Sequence, residues 1–142
     1  MTFFKTVATL ALMVTLTSCG GSASNSSKPV PPAGDTLASV CPEAMELMKQ
    51  GAESIEKADK NKDISGPAYL DELQSIVDRL DKLEKGIKTD EEAAPVQKLA
   101  NGFAKILEEQ SAGQAISVST GKMFADAAKD LSLTCIASLR GN

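Results

Sequence analysis

The chain has 142 residues, 15 basic and 19 acidic side chains, a net charge of −4, three cysteines, and neither histidine nor tryptophan. Without histidine there is no histidine-based nucleophilic triad, imidazole metal site or histidine general base. An acidic balance with no basic patch argues against nucleic acid, and against electrostatic attachment to lipid, as the role of the folded part.

Met1 to Lys5 is a short opening segment whose one charged side chain is Lys5. Val7, Ala8, Leu10, Ala11, Leu12, Met13, Val14 and Leu16 then form an apolar run. At about a dozen residues it is too short to span a bilayer, and residues 1–18 read as a signal peptide. The run closes on Leu16-Thr17-Ser18-Cys19. This stretch resembles the lipobox of bacterial lipoprotein precursors, in which a branched aliphatic residue and two small ones precede a cysteine. The resemblance covers only the first nineteen residues. It implies a diacylglyceryl group on the Cys19 sulfur, cleavage by signal peptidase II before Cys19, and a further amide-linked acyl chain such as palmitate. Two or three such chains hold a protein durably on a membrane. The implied location is extracytoplasmic, on the outer face of the plasma membrane or in an outer membrane. Gly20 instead of Asp follows the cysteine, so nothing resembles the inner-membrane retention signal of Gram-negative lipoproteins. The alternative is an uncleaved or conventionally cleaved leader that leaves Cys19 as a spare thiol. Removing the leader takes away Lys5 and no acid, which moves the net charge from −4 to −5.

Residues 19–35 are expected to be the lipidated cysteine and a tether. Gly, Ser, Asn and Ala dominate first, then Lys28-Pro29-Val30-Pro31-Pro32, with no apolar period. A flexible Gly/Ser half followed by a stiffer proline half follows from that composition. The sixteen residues from Gly20 to Asp35 reach roughly 50 Å when stretched, at about 3.3 Å each.

Residues 36–142 hold one small domain with apolar positions every three or four residues, the helical period. A first helix is predicted from about Ser39–Cys41, with Pro42 in its first turn, to Ala58–Lys60. Its stripe is Leu37, Cys41, Ala44, Met48, Gly51, Ile55 and Ala58, widened by Val40 and Leu47. A second helix starts at Ser65-Gly66-Pro67 and presents Leu70, Leu73, Ile76, Val77, Leu80, Leu83 and Ile87. Asp78–Lys82, Asp81–Lys85 and Glu84–Lys88 are spaced as solvated ion pairs. Thr89 to Glu92 reads as a capping box for a third helix. Pro95 leaves two possibilities, a short first turn bent into a helix from Pro95, or acids that lie in a loop. Val96, Leu99, Ala100, Phe103, Ile106 and Leu107 continue the period, and Gly113 is a plausible stop. Gln114 to Gly121 is ambiguous. A fourth helix, with Thr120 as candidate cap, places Phe124, Ala127, Ala128, Leu131, Cys135 and Leu139 inward and ends at Gly141.

Four such helices with short connections predict an all-α, antiparallel, up-down-up-down four-helix bundle. Cys41 then starts the first helix and Cys135 nearly ends the fourth, so both fall at one end. Outside the cytoplasm they are expected to be a disulfide; the alternative is two buried free thiols. Of the adjacent acids, Asp71/Glu72, Asp90/Glu91/Glu92 and Glu108/Glu109 read as solvated faces rather than acid–base pairs. Asp59, Asn61 and Asp63 resemble the opening of an EF-hand calcium loop. Ile64 replaces its glycine, however, and Leu70 stands where its bidentate acid belongs. The segment therefore reads as a polar turn. Ser119-Thr120-Gly121-Lys122 fails as a phosphate loop, because Met123 stands in place of the hydroxyl residue and Gly113 is too distant.

No catalytic residue, metal site or cofactor is expected. The expected function is a non-catalytic binding or accessory domain at the cell envelope, held to the membrane by lipid and contacting another envelope protein. One alternative is a carrier of a small ligand or metal in an interhelical cavity. Another is an exclusion or immunity lipoprotein that blocks an incoming phage or toxin. Small residues at Ala44, Gly51, Ala100, Ala127 and Ala128 either let helices approach closely or leave that cavity.

Overall fold

The structure, a computed structural model, describes residues 34–141. The leader, Cys19 and nearly all of the tether lie outside the described residues. The described chain is all-α: α1 (Leu37–Asn61), α2 (Pro67–Gly86), α3 (Asp90–Ser111) and α4 (Val118–Arg140). Neighbours in sequence are neighbours in space, α1 also meets α4, and α2 and α4 stand at opposite corners. Antiparallel order is visible in the cross-helix pairs. Cys41 near the start of α1 meets Cys135 near the end of α4, with Cα atoms 5.6 Å apart. Tyr69 at the start of α2 meets Gln110 at the end of α3. The result is the up-down-up-down four-helix bundle.

The tether joins one end of this bundle. The Asp35 N–H donates to the Gly86 carbonyl (2.9 Å) and the Lys88 N–H donates to the Asp35 carbonyl (3.1 Å). Asp35 is therefore part of the domain rather than of the tether. That end also holds the α2–α3 turn and Cys41–Cys135, and the other end holds the α1–α2 and α3–α4 connections.

α1, α3 and α4 start where a side chain can satisfy amide groups that have no carbonyl in the preceding turn, whereas α2 starts on Gly66 without a side-chain cap and with Pro67 first. α1 begins at Leu37, before the expected start, because Thr36 and Ser39 cap each other. The Ser39 N–H donates to Thr36 Oγ1 (3.3 Å) and the Thr36 N–H to Ser39 Oγ (3.1 Å). The usual box carries Glu or Gln at the fourth place, and serine does the same work here. Pro42 thus lies inside α1, and Pro95 lies inside a continuous α3 that starts at Asp90. Both prolines are sixth in their helices, near enough the start that only one internal hydrogen bond is lost. Thr89 accepts from the Glu92 N–H (3.3 Å), so the acids Asp90 to Glu92 form the first turn of α3. There they oppose the positive end of the helix dipole. Ser117, not Thr120, caps α4; Thr120 is buried within it. Gly113 follows α3 with φ +70°, a left-handed turn that glycine adopts without strain.

Most of the expected α1 stripe, Leu47 included, is buried, but its centre is shifted toward Leu47 and Ser54 and away from Met48 and Ile55. Leu47 and Ser54 are buried, whereas Met48 and Ile55 are only partly covered. On α2 the buried set is Tyr69, Leu73, Ile76, Val77 and Leu80, with Leu70 and Leu83 at the margin. Ile87 is buried just beyond the helix end. On α4, Leu139 is exposed rather than inward. The three ion pairs expected along α2 do not form. Asp78 accepts from Gln74 (2.8 Å), Glu84 accepts from Gln97 on α3 (2.9 Å), and Lys88 lies past the end of α2. Ion pairs instead cross between helices, Arg79–Glu43 (2.9 Å) and Lys98–Asp130 (2.7 Å). Their exposure limits each to about 0–1 kcal/mol.

The one tyrosine of the chain is a reporter of this packing. The Tyr69 hydroxyl donates to Gln110 Oε1 inside the bundle. Burial raises its pKa from 10.0 to about 12, with the nearby charge of Glu72 adding to the effect and the Gln110 bond partly offsetting it. A folded pKa above the unfolded one means stability that is complete below pH ~10 and is lost as pH rises through ~12. An absorbance titration of tyrosinate is expected to show a midpoint near 12 in folded protein and near 10 in denaturant. A folded-state midpoint near 10 would place Tyr69 in water and contradict the packing.

Candidate functional site

α1 and α4 are held together at the tether end by Cys41 and Cys135, and next by Met45 against Ser132 (3.8 Å). Toward the other end they separate over α3, leaving a cleft of about 450 Å³. Ala52 and Ile55 form its α1 wall, Gly121 and Phe124 its α4 wall, and Ile106 and Gln110 its floor. Ile64 and Ile116, from the two connections, close its end. The walls follow from local sequence. Turning the α1 stripe onto Leu47 and Ser54 leaves Ile55 at the edge, and Gly121 puts no side chain in the opening.

The floor is set by aromatic packing. The Phe103 and Phe124 rings meet edge to face, 4.8 Å between centroids at 62°. Phe103 also fills the space above Gly51, where a Cβ would come within 2.2 Å of its ring. Gly51 and the buried residues Ala44 and Ala100 therefore serve close helix approach, and none of the three lines this cleft.

Two carboxylates stand at the α1 lip, Glu56 and Asp59. Lys60 bonds Glu56 at 2.5 Å and holds its carboxyl below the usual range. Asp59 forms no ion pair among the described residues. The cleft thus offers apolar area with one unneutralised acid beside it. That suits an apolar group with a cationic neighbour. No family model, curated protein or solved structure matches the chain. The cleft is therefore read from its own chemistry.

A second hollow of about 720 Å³ lies between α3 and α4. Its charges already satisfy one another, Lys98 with Asp130 and Lys122 with Asp126 (2.6 Å). The calcium-like residues are not brought to one point. Asp59 lies on the cleft, while Asn61 and Asp63 line a separate hollow beside Tyr69. Among the described residues no three His, Cys, Asp or Glu side chains gather as a metal site. The other adjacent acids are dispersed: Asp71 and Glu72 are exposed, and Glu108 bonds Lys105 (2.7 Å).

Glu109, expected on a solvated face, instead holds the α3–α4 connection that ends the cleft. It accepts from Thr120 Oγ1 (2.6 Å), the Ser117 N–H (2.9 Å) and Ser117 Oγ (2.8 Å). The Thr120 hydroxyl, then the two Ser117 groups, hold its carboxyl below the ordinary range. A depressed folded pKa contributes stability above the unfolded carboxylate range, lost as pH falls through the folded value. Glu109→Gln is expected to lower the thermal midpoint at neutral pH and to flatten its fall on acidification. Parallel melts from neutral to acid pH check this; superimposable profiles would mean that Glu109 is not holding the connection.

Proposed function

We propose that this chain is a lipid-anchored, extracytoplasmic bacterial lipoprotein whose bundle is a non-catalytic binding or accessory domain for another envelope protein. The lipobox at Cys19 supports the anchor. The observation that carries the binding role is the apolar cleft between α1 and α4 at the bundle end away from the tether, where a partner is most accessible. The fitting partner segment inserts an apolar side chain between Ile55 and Phe124 and sets a basic one beside Asp59. An incoming phage or toxin component is one such partner, by analogy of size and anchoring alone. The Cys41–Cys135 pair is oxidised in that compartment and keeps the α1–α4 seam closed below the cleft.

A photo-crosslinking residue at Ile55, in the full chain in its native envelope, tests the reading. One discrete protein adduct is expected from position 55 and none from exposed Gln74 on α2. Equal adducts from both, or none from either, would refute the binding surface. In the same cells a fatty-acid probe should label the wild-type chain and not Cys19→Ala.

A second reading, a carrier of a small apolar ligand, draws on the cleft volume of about 450 Å³, which lies within the usual ligand-site range of ~300–1,000 Å³. Native mass spectrometry separates the two. A carrier shows a bound small mass that Ala52→Trp, filling the cleft, removes.

A further inference from the structure

All five large apolar side chains exposed among the described residues belong to α4: Val118, Met123, Leu133, Ile136 and Leu139. Three of them gather on its last two turns. Leu133 is 58% exposed, Ile136 46% and Leu139 58%. A spacing of three residues sets them in one slanting row. From Leu131 to Leu139 the helix carries no charge, whereas no uncharged stretch within α1, α2 or α3 runs longer than six residues. Leaving this much aliphatic surface in water forgoes roughly 25 cal/mol for each Å² that could be covered.

Position in the fold tells what covers it. The row sits at the tether end, because Cys135, inside this stretch, meets Cys41 at the start of α1. Asp35, where the tether joins, is bound at the same end. Asp35 is the sixteenth residue after Cys19, so a lipid on Cys19 keeps this end within roughly 50 Å of the bilayer. We propose that Leu133, Ile136 and Leu139 lie in the interfacial layer of the phospholipid membrane that carries the chain. The proposal rests on the lipid-anchor reading of Cys19. It places the last two turns of α4 on the membrane and leaves the α1–α4 cleft at the opposite end of the bundle.

The chemistry of the flank agrees. Lys129 and Arg140 bracket the row, while Asp130, the acid nearest to it, is turned to Lys98 on α3. The acidic first turn of α3, Asp90 to Glu92, lies at the same end of the bundle. It keeps the end surface itself away from anionic headgroups, so contact falls on the α4 flank. Insertion of three aliphatic side chains is weak for a free protein. Holding the domain to the bilayer by a link of about sixteen residues raises the effective concentration to about the mM range, where a weak contact is occupied. The attraction is apolar and does not draw on the charge of the chain.

The absence of tryptophan from the sequence makes the test direct. Single variants Ile136→Trp, Leu139→Trp and, at the opposite end, Gln114→Trp are made in the full lipidated chain. Each is reconstituted into phospholipid vesicles with and without bromine on the acyl chains. These positions are exposed, so the substitutions leave the core intact. The expected result is flotation with the vesicles, together with loss of emission at 136 and 139 on brominated lipid and unchanged emission at 114. Flotation with no quenching at 136 and 139 overturns the docking and leaves the anchor standing. Blue-shifted emission without bromine quenching means that protein covers the row, and also overturns it. Failure of the processed chain to float or to carry fatty acid overturns the anchor, and the docking with it.

Discussion

Replacing Cys41 and Cys135 together by serine is expected to give the largest loss of stability of any surface-neutral change in this protein. The pair is 94 residues apart in sequence, and closing a loop of about 100 residues is worth up to ~4.7 kcal/mol through the unfolded chain. Both residues are almost wholly buried among apolar neighbours. Each serine hydroxyl left there without a partner adds about 1–3 kcal/mol of cost. The effects fall on the seam between α1 and α4, which is otherwise closed only by contacts such as Met45–Ser132 and opens into the cleft. For a domain of this size each kcal/mol is about 4–8 °C in thermal midpoint, so a fall of roughly 20 °C or more is the expected reading. A Cys41→Ala, Cys135→Ala pair removes the link without adding hydroxyls, and should lie between wild type and the serine pair. Non-reducing peptide mapping must first show the bond in the purified protein. Two alkylatable thiols there, or equal midpoints for all three proteins, would defeat the argument.

The second large effect belongs to Phe103, a fully buried side chain that touches both Gly51 and Phe124. Phe103→Ala is expected to cost about 3–5 kcal/mol through lost burial and the cavity left behind. That is a large part of the 5–15 kcal/mol typical of a domain. Gly51→Ala approaches the same ring from the other side. Its Cβ would come within 2.2 Å of two ring carbons, and such overpacking costs roughly 1–3 kcal/mol. The two sites share one volume, so their effects should not add. Gly51→Ala combined with Phe103→Leu should lose less than the sum of the singles. Urea denaturation of the wild type, Gly51→Ala, Phe103→Leu and the double variant measures this. Strict additivity would mean that Gly51 and Phe103 are not in contact, and that α1 and α3 do not meet across the bundle.

The helices and their order were legible in the sequence because apolar period, proline and glycine act locally. The second helix, opened by Gly66-Pro67 and carrying Leu73, Ile76, Val77 and Leu80, needed nothing beyond that. The placement of Cys41 and Cys135 at one end also followed, since antiparallel order with short connections leaves no other place for them. Helix starts were less legible. Thr36 and Ser39 cap each other without the acidic partner that marks such a box, so α1 was expected to begin at about Ser39–Cys41, with Pro42 in its first turn.

What only the tertiary structure decided is how each helix is turned about its own axis. Period restricts the buried stripe to an arc, and contact with neighbours chooses within it. Phe103 reaching over Gly51 sets α1 so that Leu47 and Ser54 face inward while Ile55 faces the cleft. The same choice on α4 sends Leu131 and Cys135 inward and leaves Leu133, Ile136 and Leu139 outside. Tyr69 with Gln110, and Glu109 with Ser117 and Thr120, were equally out of reach. Each joins groups that no local pattern pairs, and only packing brings them within hydrogen-bond distance. The lipid anchor proposed at Cys19 is the reverse case. Four adjacent residues after an apolar run carry it, and no tertiary contact is needed to read it.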